Sequence, residues 1–235
     1  AARDEIVEYI GVDPAIIDVS SCAPKPDFRQ LNDPAQLASA RRAANLPEDV
    51  PIIVYVGGLA PHKNLHGLLD GFEIAAASPD MREAHLALVG DFAGAGFHSN
   101  YDSLAQRVAA SPALRERVHF TGYVSDEQLV ALYSSALAAA MPSFSEGFGL
   151  PAVEAMACAA PVLSSNRGSL PEVVGDAGIY FDPYDTGEIA SAIARMINDT
   201  AHRDALSARA VDRAATFTWP RAAQLALDYL EQMVA

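Results

Sequence analysis

Two kinds of hydrophobic pattern alternate along most of the chain. From Pro51 onward, short, mostly apolar runs cover 52–56, 85–89, 118–121, 137–142, 161–164 and 178–181. Each spans only four to six residues, and most are rich in Val, Ile, Leu or Ala. Such runs suit strands buried on both faces, the condition of a parallel sheet covered by helices. Between them, apolar residues recur every three or four positions, as with Leu65, Leu68, Leu69 and Phe72, and predict one-sided helices. Helices are expected over 3–10, 35–45, 101–110, 170–174, 186–197, 201–215 and 220–233, and also from residues 64, 125 and about 150. Ser125, followed three residues later by Gln128, has the spacing of a capping box. A further short strand is expected at 16–20. Two prolines within 23–28 mark a linker. The alternation defines an α/β fold: a doubly wound, mostly parallel, Rossmann-like sheet. In such sheets ligands sit at the carboxyl ends of the strands. Those ends here carry Gly57-Gly58, Gly90, Gly122, Gly147 and Gly149.

The 235 residues are about half hydrophobic, enough for a sizeable core. A net charge of -14 argues against nucleic-acid binding, which needs a basic face. It leaves room for a small anion held by a few local donors. Cys22 and Cys158 lack metal-type spacing and read as reduced thiols. No apolar run approaches the length of a membrane span. The first residues read like the middle of a longer protein. Residues 1–30 are therefore expected to be the end of a preceding domain with its linker, and 31–235 the main domain.

The densest chemistry lies between the runs at 137–142 and 161–164. There Glu146 and Glu154 flank Gly147-Phe148-Gly149-Leu150-Pro151. Proline suits a first helical turn, and glycine lets backbone N–H groups approach a ligand. A helix N-terminus favours phosphate, while carboxylates accept hydrogen bonds from vicinal hydroxyls. A nucleotide or sugar nucleotide offers both. The plainer alternative makes Glu146 a loop charge and Glu154 a solvated helix residue. Gly57-Gly58-Leu59-Ala60-Pro61-His62-Lys63-Asn64 ends the first strong strand and sets Lys63 before a helix. Lys63 is a candidate phosphate ligand, or else an exposed loop lysine. Arg167 could reach a phosphate or form a surface ion pair. The backbone of Gly122-Tyr123-Val124 could read a base edge. Asp182 and Asp185 share a turn without making a metal motif. Gly94-Ala95-Gly96 lacks the remainder of a dinucleotide fingerprint.

The segment Ser145-Glu146-Gly147-Phe148-Gly149-Leu150-Pro151 through Glu154-Ala155-Met156-Ala157-Cys158 resembles the E-x7-E segment of the retaining glycosyl transferases group 1, which have the GT-B fold. Similar stretches are Gly57 to Asn64, Gly122 to Ser125 and Leu170 to Gly178, in the family's order, so the resemblance runs from about residue 3 to the end. It implies that this chain is one half of a GT-B fold, the C-terminal domain that binds the nucleotide-sugar donor. Its partners would be an N-terminal domain of the same protein and an acceptor glycan or lipid-linked glycan. The last helix would cross back toward that domain.

Carried over, Glu154 would hold the ribose hydroxyls, and Glu146 would lie beside the transferred sugar. Amides of Phe148, Gly149 and Leu150, after the Gly147 turn, would contact sugar and diphosphate. Lys63 would neutralise the diphosphate beside Gly57, and the Val124 backbone would meet the base. The resemblance implies transfer from a GDP- or UDP-sugar with retention, no metal or cofactor, and a cytoplasmic location, at the inner face of the membrane in the full-length protein. A nucleotide-sugar epimerase or glycan phosphorylase of the same fold, and a non-catalytic binding module, are the alternatives. Three departures stand out. Gly58 occupies a position where the family usually has arginine, so one basic phosphate contact is missing. Either His62 or Arg167 would compensate for it, or donor binding would be weaker. Ala159-Ala160 replaces a glycine-containing pair, and the linker lacks the usual Pro-Asn-Gly turn.

Overall fold

A computed structural model describes residues 2–78, 83–92 and 100–234; the Gly94-Ala95-Gly96 stretch falls outside them. Six strands form one sheet: β1 (Ile52–Val56), β2 (His85–Val89), β3 (Val118–Gly122), β4 (Ala138–Met141), β5 (Val162–Ser165) and β6 (Gly178–Phe181). Their spatial order is β3-β2-β1-β4-β5-β6, and every pairing is parallel. The helices are α1 (Ala2–Ile10), α2 (Pro34–Ala43), α3 (Leu65–Ala76), α4 (Tyr101–Ala110), α5 (Pro112–Arg115), α6 (Asp126–Ser134), α7 (Leu150–Ala157), α8 (Leu170–Val174), α9 (Thr186–Asn198), α10 (Thr200–Ala214) and α11 (Trp219–Val234).

Alternation along the strands divides the core into two layers. Ile53, Tyr55, Leu86 and Leu88 face α3 and α9, where Leu65, Leu69, Phe72, Ile189 and Ile193 are buried. Ile52, Val54, Ala87 and Val89 face the other way, onto α2, α6 and the Ala155–Cys158 side of α7. A third cluster joins α7, α8 and α10 around Val153, Met156, Leu170 and Ala210. The central strands β1, β2, β4 and β5 are thus buried on both faces, which is why their sequences read as largely apolar runs, whereas the edge strands β3 and β6 are only partly buried. The capping box at Ser125 forms as expected, with Ser125 Oγ accepting from Gln128 N–H and the Gln128 side chain accepting from Ser125 N–H.

The strand expected at 16–20 does not form. Asp13 caps a single 3₁₀ turn over Pro14–Ile16, with proline in its first turn, and the following residues are irregular. A strand needs a neighbour to take its backbone hydrogen bonds, and none of the six strands pairs with this segment. Ile16 and Val19 stand exposed, together with Tyr9 and Ile10. From Ala23 the chain is pinned to the body: Ala23 and Phe28 are buried, Phe28 packs against Tyr133, and Leu31 N–H donates to Ser134 Oγ at 3.0 Å.

Candidate functional site

The strand order reverses direction between β1 and β4, the switch point at which the loops leaving neighbouring strands part toward opposite faces. The loop after β1 carries Gly57 to Lys63 toward α3. The loop after β4 carries Ser143 to Gly149 toward α7. The two stretches singled out in the sequence therefore meet across one crevice.

Side chains and backbone tie these loops together. Lys63 Nζ lies 2.7 Å from Glu146 Oε1, and Ser143 Oγ donates to the same oxygen at 2.7 Å. The Lys63 side chain is 22% exposed and that of Glu146 11%, so the pair is shielded yet open at the mouth. Among the described residues no donor reaches Glu146 Oε2. Phe144 N–H donates to His62 C=O at 2.8 Å. Asn64, buried and in the left-handed conformation, donates through Nδ2 to Pro142 C=O and Pro183 C=O at 3.1 and 2.7 Å. One amide thus holds the loops after β1, β4 and β6. On the far side, Ser169 Oγ donates to Glu146 C=O at 2.9 Å, and Gly168 passes so close that a Cβ would sit 3.0 Å from Glu146 N.

The glycines differ in cause. Gly57 has φ 148°, and a Cβ there would come 2.9 Å from Tyr55 Oη; the fold itself demands glycine. Gly149 takes φ 89° as the residue before α7. A Cβ on Gly147 or Gly58 would meet nothing within 4 Å, so the space beside each belongs to solvent or ligand. Among the described residues nothing accepts from the N–H groups of Phe148, Gly149 or Leu150. They converge at the α7 N-terminus, where the helix dipole adds partial positive charge. Tyr55, under the β1 loop, donates its hydroxyl to Gly58 C=O at 2.6 Å, and burial pushes its pKa upward.

Glu154 stands apart from the Lys63–Glu146 pair. It projects from α7 toward α6 and the linker, where its charged neighbours are Asp126 and Lys25, themselves an ion pair. Burial raises its pKa from 4.5 to about 7, Asp126 adds to the rise, and Lys25 opposes it. Among the described residues no donor bonds its carboxylate. A half-buried carboxylate without donors is costly, and hydroxyls of a ligand would remove that cost. Asp126 follows Val124 by two residues, so the β3 loop and Glu154 share this side of the crevice. Val124 is buried. Tyr133, fully buried nearby, has no partner for its hydroxyl among the described residues. Arg167 takes the plainer of its two expected roles, pairing with Asp182 at 2.8 Å. Asp185 caps α9. Among the described residues no three His, Cys, Asp or Glu side chains group as metal ligands would. Sequence reading missed Asn64 as the loop clasp, Ser143 as the second donor to Glu146, and Lys25 with Asp126 beside Glu154. Asn64 sits inside a motif already noted and Ser143 just ahead of one; the last two gave no local signal.

A family profile described as "Glycosyl transferases group 1" matches residues 38–213. The chain belongs to the glycosyl transferases group 1 family. Within that family it is 36% identical to the O-antigen chain mannosyltransferase B of Escherichia coli over 166 residues, 71% of this chain and 42% of that protein. It is 32% identical to the D-inositol 3-phosphate glycosyltransferase of Rhodococcus jostii over 94% of this chain and 48% of that protein. The chain spans about half the length, or less, of the curated relatives it matches. Among solved structures, sucrose-phosphate synthase from Thermosynechococcus elongatus superposes on all of this chain and 57% of its own, with TM-score 0.80 and 28% identity. Anabaena HepE, solved with UDP-glucose, matches at TM-score 0.82, 22% identity, all of this chain and 61% of its own, a likeness of fold. This group 1 chain therefore shares its whole parallel sheet and flanking helices with larger proteins.

Proposed function

We propose that this chain is the donor-binding half of a retaining GT-B glycosyltransferase. The observation that carries the reading is the convergence at the β1/β4 switch point. Lys63, Glu146 with its free Oε2, and the unbonded amides at the α7 N-terminus face one crevice, with Glu154 and the Val124 backbone to its side. A nucleoside diphosphate sugar fits that sequence of groups. The base meets the Val124 backbone, and the ribose hydroxyls donate to Glu154. The diphosphate takes the amides of Phe148, Gly149 and Leu150 together with Lys63, and the sugar reaches Glu146. The space beside Gly57-Gly58 and Gly147 admits the phosphates and sugar.

In the reaction, the bond from the anomeric carbon to the phosphate oxygen breaks, and a bond to the acceptor oxygen forms on the same face. The acceptor proton passes to the leaving phosphate. The protein's contribution is electrostatic: Lys63 and the helix amides stabilise charge growing on the leaving diphosphate. Glu146 holds Lys63 in place before the donor arrives. Most contacts to the acceptor, a glycan or lipid-linked glycan, would come from the opposite wall of the cleft, supplied by an N-terminal domain. Residues 1–30 would form the link to that domain, without which the isolated chain would bind donor but not turn it over. The exposed apolar residues of α1 and of 16–19 support the link. No helix among the described residues is long and apolar enough to cross a membrane; a cytoplasmic site, at the inner membrane face in the full-length protein, fits a donor made in the cytoplasm. The relatives named as mannosyltransferases favour a mannosyl donor, carried on GDP or UDP, and HepE was solved with UDP-glucose.

The test is a thermal-shift panel of UDP, GDP, ADP and their sugars. A ligand at a hundred times its dissociation constant adds about 2.7 kcal/mol, or roughly 5–10 °C for a chain of this size. One base should stand out. No shift with any nucleotide or nucleotide sugar at saturating concentration would refute the proposal.

A further inference from the structure

Beside the crevice stands an aromatic assembly that the donor reading leaves unused. Tyr184, in the loop between β6 and α9, is 70% exposed. Its ring stacks on Phe144 with centroids 4.6 Å apart and planes at 21°. The Arg167 guanidinium lies 5.8 Å from the Tyr184 ring centroid, within cation–π range. Arg167 is braced in turn by Asp182 at 2.8 Å, whose other oxygen accepts Tyr184 N–H at 3.0 Å. Asn64 fixes the same loop through Pro183 C=O. A lone exposed tyrosine means little. Here two rings, a guanidinium and a carboxylate are ordered against side-chain entropy, and most of the outer ring still faces water.

Position gives the assembly its direction. Phe144 lies two residues before Glu146 in the same loop. The Tyr184 loop leads into α9, which packs with α3 on one face of the sheet, whereas Glu154 lies with α6 on the other. The Lys63–Glu146 pair bridges the loops that lead to the two faces. A donor with its ribose at Glu154 and its sugar at Glu146 would point that sugar toward Phe144 and Tyr184. The next group along is what the sugar is transferred to.

We propose that Tyr184, stacked on Phe144 and braced by Arg167, is a platform for a sugar ring of the acceptor. The C–H face of a pyranose stacks on an electron-rich ring, and its hydroxyls can bond to the guanidinium and carboxylate at the rim. The proposal rests on the glycosyl-transfer reading for the word acceptor, but not for sugar binding itself.

Saturation-transfer NMR with mannobiose, alongside calorimetric titration of GDP and GDP-mannose, tests it in wild type, Tyr184→Ala and Tyr184→Phe. The alanine variant should weaken mannobiose binding roughly fivefold to tenfold, the size of one aromatic stacking contact. The phenylalanine variant should retain it, and both variants should bind GDP and GDP-mannose within twofold of wild type. Absent saturation transfer in wild type, or equal transfer in Tyr184→Ala, would overturn the platform. Loss of GDP-mannose but not GDP affinity in Tyr184→Ala would overturn the acceptor assignment in favour of the transferred sugar. Mannobiose binding through Tyr184 in a protein that binds no nucleotide would refute the donor reading and leave the sugar platform standing.

Discussion

Glu154 makes a prediction in which stability and binding move in opposite directions. Its pKa rises from 4.5 to about 7, chiefly through burial. A group whose pKa is raised in the folded state contributes stability that is fully present below pH 4.5 and is lost as pH rises through 7. At pH 8 the ionised carboxylate therefore burdens the fold. The full displacement corresponds to about 3 kcal/mol at 1.36 kcal/mol per pH unit. The carboxylate remains partly open to solvent, so screening reduces this to about 1–2 kcal/mol. Glu154→Gln removes the charge and keeps the shape. Differential scanning calorimetry should find the variant about 2–8 °C more stable at pH 8, given the size of the chain. The two proteins should coincide at pH 4, where both side chains are neutral. The same variant should discriminate less between ribo- and deoxyribonucleoside diphosphates, because a carboxylate acceptor for the ribose hydroxyls is gone. A residue that weakens the fold while serving a ligand is the expected trade of stability for function. Equal or lower stability of Glu154→Gln at pH 8, or a gain that persists unchanged at pH 4, would refute the electrostatic reasoning. An unaltered ribose preference would refute the ligand assignment.

Further outcomes follow from the same geometry. Gly58→Arg, placing a guanidinium where a Cβ meets open space, should tighten nucleoside diphosphate binding by about 1.5 kcal/mol, as a hydrogen bond to a charged group does; calorimetric affinity equal to or weaker than wild type would count against it. Tyr133→Phe removes a buried hydroxyl without a partner among the described residues and should raise stability by about 1 kcal/mol in urea titration, whereas a loss of that size would mean the hydroxyl is satisfied. The stacked pair His85 and His119, with ring nitrogens 2.8 Å apart, has both pKa values lowered by burial. Depressed values contribute stability above pH 6.5 that is lost on acidification, so His119→Gln should flatten the fall in melting temperature between pH 7 and 5, and an unchanged slope would exclude the pair as its source.

The sheet was legible because its central strands are buried on both faces, which leaves largely apolar runs with glycine at their ends. Its strand order was not legible, since nothing local encodes which strand neighbours which. The expectation at 16–20 failed for a related reason: Ile16, Ile17 and Val19 have strand-like side chains, but a strand exists only beside a partner, and Asp13-Pro14 had already begun a turn. At the site, Lys63, Glu146 and the glycine turn could be read because each lies in one contiguous stretch. The state of Glu154 could not, because Lys25 and Asp126 come from distant segments and burial is a property of the assembled fold. Gly57 and Gly147 looked alike in sequence. Only packing separates the one held by Tyr55 from the one beside empty space.

On the proposed reading, the crevice between the β1 and β4 loops holds a diphosphate beside Lys63. Isothermal titration of GDP and UDP into wild type and Lys63→Ala tests it most directly. Wild type should bind one nucleoside diphosphate at a single site. The variant, still folded because the lysine lies at the mouth, should lose about 1.5–3 kcal/mol of affinity, the range for hydrogen bonds to charged groups. Undiminished affinity in a folded Lys63→Ala protein would contradict the account.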